Sequence, residues 1–280
     1  MRHLCDIARV SRSGYYAWKK AEVRRVAKEN EDTELLELIN QYVDKKIGIY
    51  GYRRIQMKLE EHGHIINHKR LRRVMKAYGI QARIRIANPY KRIMKKTQEH
   101  RTCPNLLDRN FNQQVPEQVA GTDITYLWIP KLKQFIYLSA VKDFASGEIL
   151  AHILSENLCM PLVLGTIDRL KERLNVSIKG FMLHSDQGFH YTNPVYQKKL
   201  DNLKIVQSMS RKGNCIDNAA METFFGHMKD EIEVSKCDTF DDVEIEVATY
   251  ISYYNETRRQ WDRKKMTPSQ YRNHLFATVV

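Results

Sequence analysis

The sequence predicts an α/β domain built on a mixed five-stranded sheet with flanking helices, preceded by an all-α basic region. Three observations predict this. Residues 1–110 carry 26 Lys/Arg against 12 Asp/Glu, whereas residues 111–280 carry 20 against 21. Apolar residues recur at helical spacing before residue 80, and from Glu117 onward β-branched and aromatic runs alternate with helical stretches. At 280 residues the chain can hold one large domain and a small one. Other classes are excluded. There is no run of the roughly 18 apolar residues that a membrane helix needs. Met1-Arg2-His3-Leu4-Cys5-Asp6 lacks the apolar core of a signal peptide. The five cysteines are scattered and form no C-x-x-C pair, which points to reduced thiols in a cytoplasm.

Residues 1–44 read as a helical segment. A short helix, a turn at Ser11 to Gly14 and a second helix from Tyr15 make a candidate small helix-turn-helix. A longer helix over 22–44 carries Leu35, Leu36, Leu38, Ile39, Tyr42 and Val43 on a broad apolar face. Residues 45–90 read as a second, clearer helix-turn-helix. Tyr52 to Glu61 form its first helix, His62-Gly63-His64 break it, and Asn67 caps a second helix from His68 to Tyr78 that ends at Gly79. Between residues 45 and 101 there are 17 basic and 3 acidic side chains, the electrostatic footprint of a polyanion partner. The second helix would be the recognition helix, and Arg53, Arg54, Lys69, Arg70, Arg72, Arg73 and Lys76 are the candidate DNA contacts. His62, His64 and His68 lack a cysteine pair at zinc-ligand spacing, so no zinc is expected. Residues 91–115 read as a basic linker.

Residues 116–280 carry the α/β pattern. Strands are expected at Val119 to Ile129, Phe135 to Val141 and Ile149 to Leu154, joined by short links that suit antiparallel hairpins. Then come a helix from Pro161 to Leu174, a strand at Gly180 to His184, a helix from Pro194 to Leu203, and a strand from Lys204 to Met209. A helix capped by Asp217 follows, and a helical tail from Phe240 to Tyr254. Three antiparallel strands followed by alternating helix and strand is the ribonuclease H-like order.

Three carboxylates stand out in this frame. Asp123 lies mid-strand, where a charge is costly unless it is paired or binds a metal. Asp186 lies at a strand end before Gln187-Gly188, and Glu222 lies one turn into a helix. Two strand acids and a helix acid make a hard oxygen site suited to Mg²⁺ or Mn²⁺. Two such ions about 3.5–4 Å apart can activate a nucleophile and stabilise the leaving oxygen of a phosphodiester. Lys229, two turns after Glu222, and Asn218, one turn before it, share its helix face and can meet a DNA backbone. Arg211 and Lys212 sit in the loop before that helix and can close over a phosphate. Asp143 reads as a turn-forming residue or one that supports a metal ligand from behind; His184 either lines the site or is packed. Ser185 and Cys215 lack the partners of a covalent nucleophile.

Asp123, Asp186 and Glu222, the last two separated by thirty-five residues, resemble the core of the DDE integrases and transposases. The flanking words Gly121-Thr122-Asp123-Ile124-Thr125-Tyr126, His184-Ser185-Asp186-Gln187-Gly188 and Lys212-Gly213-Asn214-Cys215-Ile216-Asp217-Asn218-Ala219 are similar to those of bacterial insertion-sequence transposases of the IS-three type, second reading frame. So are Tyr50-Gly51-Tyr52-Arg53-Arg54-Ile55, Asn67-His68-Lys69-Arg70-Leu71, Tyr254-Asn255-x-x-Arg258 and Thr267-Pro268-Ser269-Gln270-Tyr271. One departure is Arg259-Gln260-Trp261-Asp262, where the family often has an Arg-Pro-His sequence.

The resemblance implies a ribonuclease H-like catalytic core and two Mg²⁺ or Mn²⁺ ions per site. It also implies a lysine or arginine seven residues after the glutamate, and DNA cleavage followed by transfer of the freed 3′-OH, first to the other end of the same element and then, through a circular intermediate, to a target. Double-stranded DNA (terminal repeats and target), further copies of the chain on that DNA, and an upstream reading-frame protein or fusion are the implied partners, in a bacterial cytoplasm. A ribonuclease H-like nuclease and a catalytically lapsed DNA-binding regulator are the alternatives.

Overall fold

The computed structural model describes residues 5, 7–43, 48–82, 102–211 and 218–279. The chain divides into two compact units, residues 1–84 and 85–280. No helix among the described residues is long and apolar enough to cross a membrane.

The first unit is helical. Helix α1 spans Arg12–Lys20, α2 Glu22–Val43, α3 Tyr52–Glu61 and α4 His68–Ala77. Ser11 to Gly14, expected as a turn, is instead the start of α1: the Ser11 side chain caps it by accepting the Gly14 amide at 3.0 Å. Helix α2 does not stand apart from the helix-turn-helix. Its Leu35, Ile39 and Val43, one turn apart, share a core with Ile55 and Leu59 of α3 and Leu71, Val74 and Met75 of α4. Asn67 caps α4 through the Lys69 amide, and left-handed Gly63 and Gly79 turn the chain out of α3 and α4.

The second unit is a five-stranded sheet: β1 (Val119–Ile129), β2 (Gln134–Asp143), β3 (Ile149–Ser155), β4 (Met182–Ser185) and β5 (Val206–Met209). Its order is β3-β2-β1-β4-β5, with the first three strands antiparallel and β1, β4 and β5 parallel. The helices are α5 (Met160–Leu174), α6 (Phe189–Thr192), α7 (Pro194–Leu203), α8 (Ala219–Glu231), α9 (Phe240–Glu256) and α10 (Pro268–Val279). Two strands start two residues later than the sequence expectation. Strand β4 starts two residues later because Gly180 is a left-handed turn residue (φ 79°), and β5 starts at Val206 because Lys204 is the left-handed C-cap of α7 (φ 57°).

Alternation along β1 sorts its side chains onto two faces. Leu127 and Ile129 join Ile136, Leu138 and Ala140 of β2 under Met221, Phe224 and Phe225 of α8 and Val243, Val247 and Ile251 of α9. Ala120 and Val141 join Leu183 on the opposite face, under Val163, Ile167 and Leu170 of α5 and Tyr196 and Leu200 of α7. The end of the expected basic linker is docked on this unit. Leu107 is buried, and the amides of Leu106 and Leu107 donate to Ser208 Oγ on edge strand β5 at 3.0 and 3.2 Å. This covers an otherwise open edge.

Candidate active site

Parallel pairing of β1 with β4 sets Gly121 opposite His184. Two residues on, along neighbouring chains and on the same face, come Asp123 and Asp186. Both also act electrostatically on the hydroxyl of buried Tyr191. The two strand acids are therefore brought together, on the sheet face that α8 covers.

Each carboxylate is oriented by its own loop. Asp186 accepts the Gly188 amide at 2.8 Å, a tight Asp turn; a Cβ on Gly188 would lie 2.8 Å from that carboxylate oxygen. Burial pushes the Asp186 carboxyl above its ordinary range, opposed by the Gly188 amide and the nearby His190 imidazole. Asp123 accepts the Asn218 side-chain amide at 3.0 Å and its neighbour Ile124's amide at 2.8 Å.

Asn218, not Asp217, occupies the cap position of α8, and its side chain makes no cap bond. It ties the start of the helix to Asp123 instead, whereas sequence reasoning had placed it against DNA. Asp217, Lys212 and Cys215 lie outside the described residues.

Glu222 follows in the first turn of α8, with its side chain exposed. Its place is set by buried Met221, which rides over Gly121: a Cβ on Gly121 would lie 3.3 Å from Met221 and 2.6 Å from the Phe144 ring. Among the described residues no three His, Cys, Asp or Glu side chains converge as a metal cluster. Asp123 and Asp186 thus stand on neighbouring chains of the sheet, and Glu222 is exposed in the first turn of α8. The donor chemistry fits a hard divalent cation: carboxylates are hard oxygen donors, and Asp186, whose carboxyl burial pushes up, gains from a nearby positive charge.

The other expected site residues divide. Lys229 rests its ammonium 4.7 Å from the centre of the Tyr126 ring on β1. Arg211 is ion-paired with Asp108. His184 is packed, not site-lining: Ser208 Oγ, already accepting two amides, donates its proton to His184 Nδ1 at 2.9 Å. The Ser185 hydroxyl donates to the Asp186 carbonyl. Asp143 is the turn residue expected, accepting the Ser146 hydroxyl at 2.6 Å and the amides of Ser146 and Glu117.

In the first unit Arg73 is held by both oxygens of Asp32, and Arg70 donates to the Glu31 carbonyl at 2.8 Å. These two arginines bind α4 to α2. Lys69, Arg72 and Lys76 remain exposed on α4 and Arg53 on α3, while half-buried Arg54 lies over the Tyr50 ring.

Sequence reasoning missed what holds α8 in place. Arg258, two residues past α9, reaches Glu231 at the end of α8 through contacts of 3.1, 3.3 and 3.3 Å, with side chains only 5% and 2% exposed. Asn255 clamps β3 by accepting the Ile149 amide at 2.9 Å and donating to its carbonyl at 3.0 Å. Tyr254 packs edge-on against Phe224 of α8. The word Tyr254-Asn255-x-x-Arg258 is therefore a brace for the helix that bears Glu222. Helix α10 was also missed. It carries Arg272, which pairs with buried Glu148 at 2.8 Å.

Comparison with known proteins agrees with this architecture. A helix-turn-helix-like domain family matches residues 29–87, and integrase core domain families match residues 113–215 and 222–276. The chain is 35% identical to the transposase InsK of insertion sequence IS150 from Escherichia coli strain K12, over 99% of this chain and 95% of that protein. It is 36% identical to an uncharacterised transposase-like protein of Haemophilus influenzae, over 74% of this chain and 93% of that one. To the transposase InsF of IS3A from Escherichia coli strain K12 it is 27% identical, over 99% and 95%. The chain belongs to the insertion-sequence transposases of the IS150 and IS3 kind, DDE polynucleotidyl transferases that act on DNA and depend on a divalent metal.

Proposed function

We propose that the chain cuts DNA at the ends of its insertion sequence and joins the freed 3′-OH to a second phosphodiester. The observation that carries this is the placement of Asp123, within β1, and Asp186, just past the end of the neighbouring β4, on the sheet face covered by the Glu222 helix. Two Mg²⁺ or Mn²⁺ ions would be held by Asp123, Asp186 and Glu222 and, when bound, would supply Lewis-acid activation of the attacking oxygen and charge stabilisation of the leaving one.

The protein's own groups do the rest. Asn218 holds the Asp123 carboxylate in one orientation, and the Gly188 amide holds that of Asp186. Exposed Glu222 closes on them by side-chain rotation. Lys229 leaves the Tyr126 ring to pair with a phosphate beside the cut. Water attacks phosphorus and the 3′-oxygen departs as a 3′-OH; that 3′-OH then attacks a second phosphodiester and displaces its 3′-oxygen. No covalent enzyme intermediate forms.

Exposed Lys69, Arg72, Lys76 and Arg53, with Arg54, face duplex DNA at the terminal repeats or target. Arg211 and Lys212 close on the phosphates ahead of α8. Further copies of the chain assemble on the two ends in the bacterial cytoplasm, with the upstream reading-frame product as partner or fusion. A labelled-end assay with Mg²⁺ tests the proposal: the chain should cut and Asp186→Asn should not, whereas equal cutting by both would overturn it.

A further inference from the structure

Three aromatic rings lie open to solvent on the strand that bears Asp123 and its hairpin partner. Tyr126 and Trp128 are each 47% exposed and Phe135 is 44% exposed. Trp128 and Phe135 are opposed in the β1–β2 register, with ring centres 4.9 Å apart, and Tyr126 meets Phe135 edge-on at 5.4 Å. They sit on the sheet face that α5 covers, but that core takes in Ala120, Ile124 and Val141 and none of the three. A contiguous exposed aromatic cluster marks a binding surface.

Its surroundings identify the occupant. The Lys229 ammonium lies over the Tyr126 ring, and Lys133, exposed in the hairpin turn, stands two residues before Phe135. Rings framed by cations suit a nucleic-acid strand, with bases on the rings and phosphates on the lysines. A second copy of the chain docked through the same patch would bring like charges together. Tyr126 and Trp128 lie three and five residues beyond Asp123, about 10 and 17 Å along β1 at roughly 3.3 Å per residue, but on the opposite sheet face. Strand β1 pairs with β4 only over Val119–Gly121, so past Asp123 its open edge joins the two faces, and Lys229 of α8 meets the Tyr126 ring there. The rings are thus within a few nucleotides of unpaired strand from the bond held at Asp123 and Asp186.

We infer that Tyr126, Trp128 and Phe135 form a stacking platform for unpaired bases of the DNA strand undergoing cleavage, with Lys229 and Lys133 against its phosphates. The inference rests on the proposed function. Because every base has a π-face, the platform selects an opened strand near the cut, not a base sequence.

The test combines protein and DNA changes. The unsubstituted chain, Trp128→Ala and Trp128→Phe are compared in single-turnover cleavage of element-end DNA that is intact or abasic at each of the first few nucleotides from the cut in turn. Trp128→Ala and the abasic site should each slow cleavage at sub-saturating DNA by roughly 5- to 150-fold. The abasic site should cost Trp128→Ala almost nothing further, Trp128→Phe should recover most of the rate, and saturating DNA should narrow the gap. Full additivity of the two changes, or an unchanged rate in Trp128→Ala, overturns the platform.

A second readout separates failure of the platform from failure of the enzyme reading. In Trp18→Phe/Trp261→Phe protein, Trp128 fluorescence should be quenched by a single-stranded oligonucleotide even if no cleavage occurs. Unquenched Trp128 overturns the platform. So does a DNA-independent change of oligomeric state on Trp128→Ala without quenching, which would assign the patch to a second copy.

Discussion

Arg258→Met tests the brace behind the Glu222 helix. The Arg258 and Glu231 side chains are 5% and 2% exposed and meet through three contacts of 3.1–3.3 Å. Removing the guanidinium leaves a buried carboxylate that has lost its cation, which costs about 3–5 kcal/mol. With a urea dependence of roughly 2–3 kcal/mol per molar, the unfolding midpoint should fall by about 1–2 M. Trp128 and Trp261 report on the second unit, so the assay is urea unfolding followed by fluorescence in a Trp18→Phe background. Adding Glu231→Leu should restore most of the loss, because two apolar side chains replace a buried pair at little cost. Cleavage should fall with Arg258→Met even where the protein is folded, because α8 loses its footing. A loss below about 1 kcal/mol, or a double variant no more stable than the single, would refute the reasoning.

Three further perturbations follow from the same geometry. Asn218→Ala removes the amide that orients Asp123 at 3.0 Å; a bond to a charged group is worth about 1.5–3 kcal/mol, so single-turnover cleavage should slow by roughly 10- to 150-fold with the fold intact by circular dichroism. Gly121→Ala puts a methyl 2.6 Å from the Phe144 ring and 3.3 Å from Met221; thermal unfolding should show about 1–3 kcal/mol lost, with cleavage reduced as α8 is pushed off β1. Asp32, hydrogen-bonded to Arg73, has its carboxyl held below the ordinary range. A depressed carboxyl stabilises above its unfolded pKa and loses that contribution as pH falls through the folded one. Asp32→Asn should therefore melt below wild type at pH 7 and converge with it below about pH 4; a gap unchanged at pH 3 would contradict this.

The secondary structure was legible wherever one periodicity dominated. Strand β1 and helices α3 and α7 have the bounds that alternation, turn residues and caps predict. The misplaced strand starts lay at Gly180 and Lys204, where left-handed backbone decides the boundary and apolar pattern does not. Asp123 stands out in the sequence because a charge inside an apolar strand demands an explanation, and Asp186 because it ends an apolar run before turn residues.

What pairs with what was not legible, because ion pairs join residues far apart in the chain. Arg70 and Arg73 look like any other cations of a basic helix until α2 brings Asp32 and Glu31 beside them. Asn218 reads as a cap or a DNA contact until β1 brings Asp123 to it. Arg258 sits in a recognisable word, but nothing in the word names Glu231. Helix α10 escaped because its apolar residues follow no clear stripe.

The most direct measurement is strand joining by the chain on labelled element ends with Mg²⁺, set against Glu222→Gln. That change removes one carboxylate charge at nearly constant size from an exposed side chain. The account predicts joined products from the wild-type chain and none from Glu222→Gln, with DNA binding and stability unchanged. Joining by Glu222→Gln at the wild-type rate would contradict the assignment of the third acid. Cleavage without joining by the wild-type chain would contradict the proposed transfer.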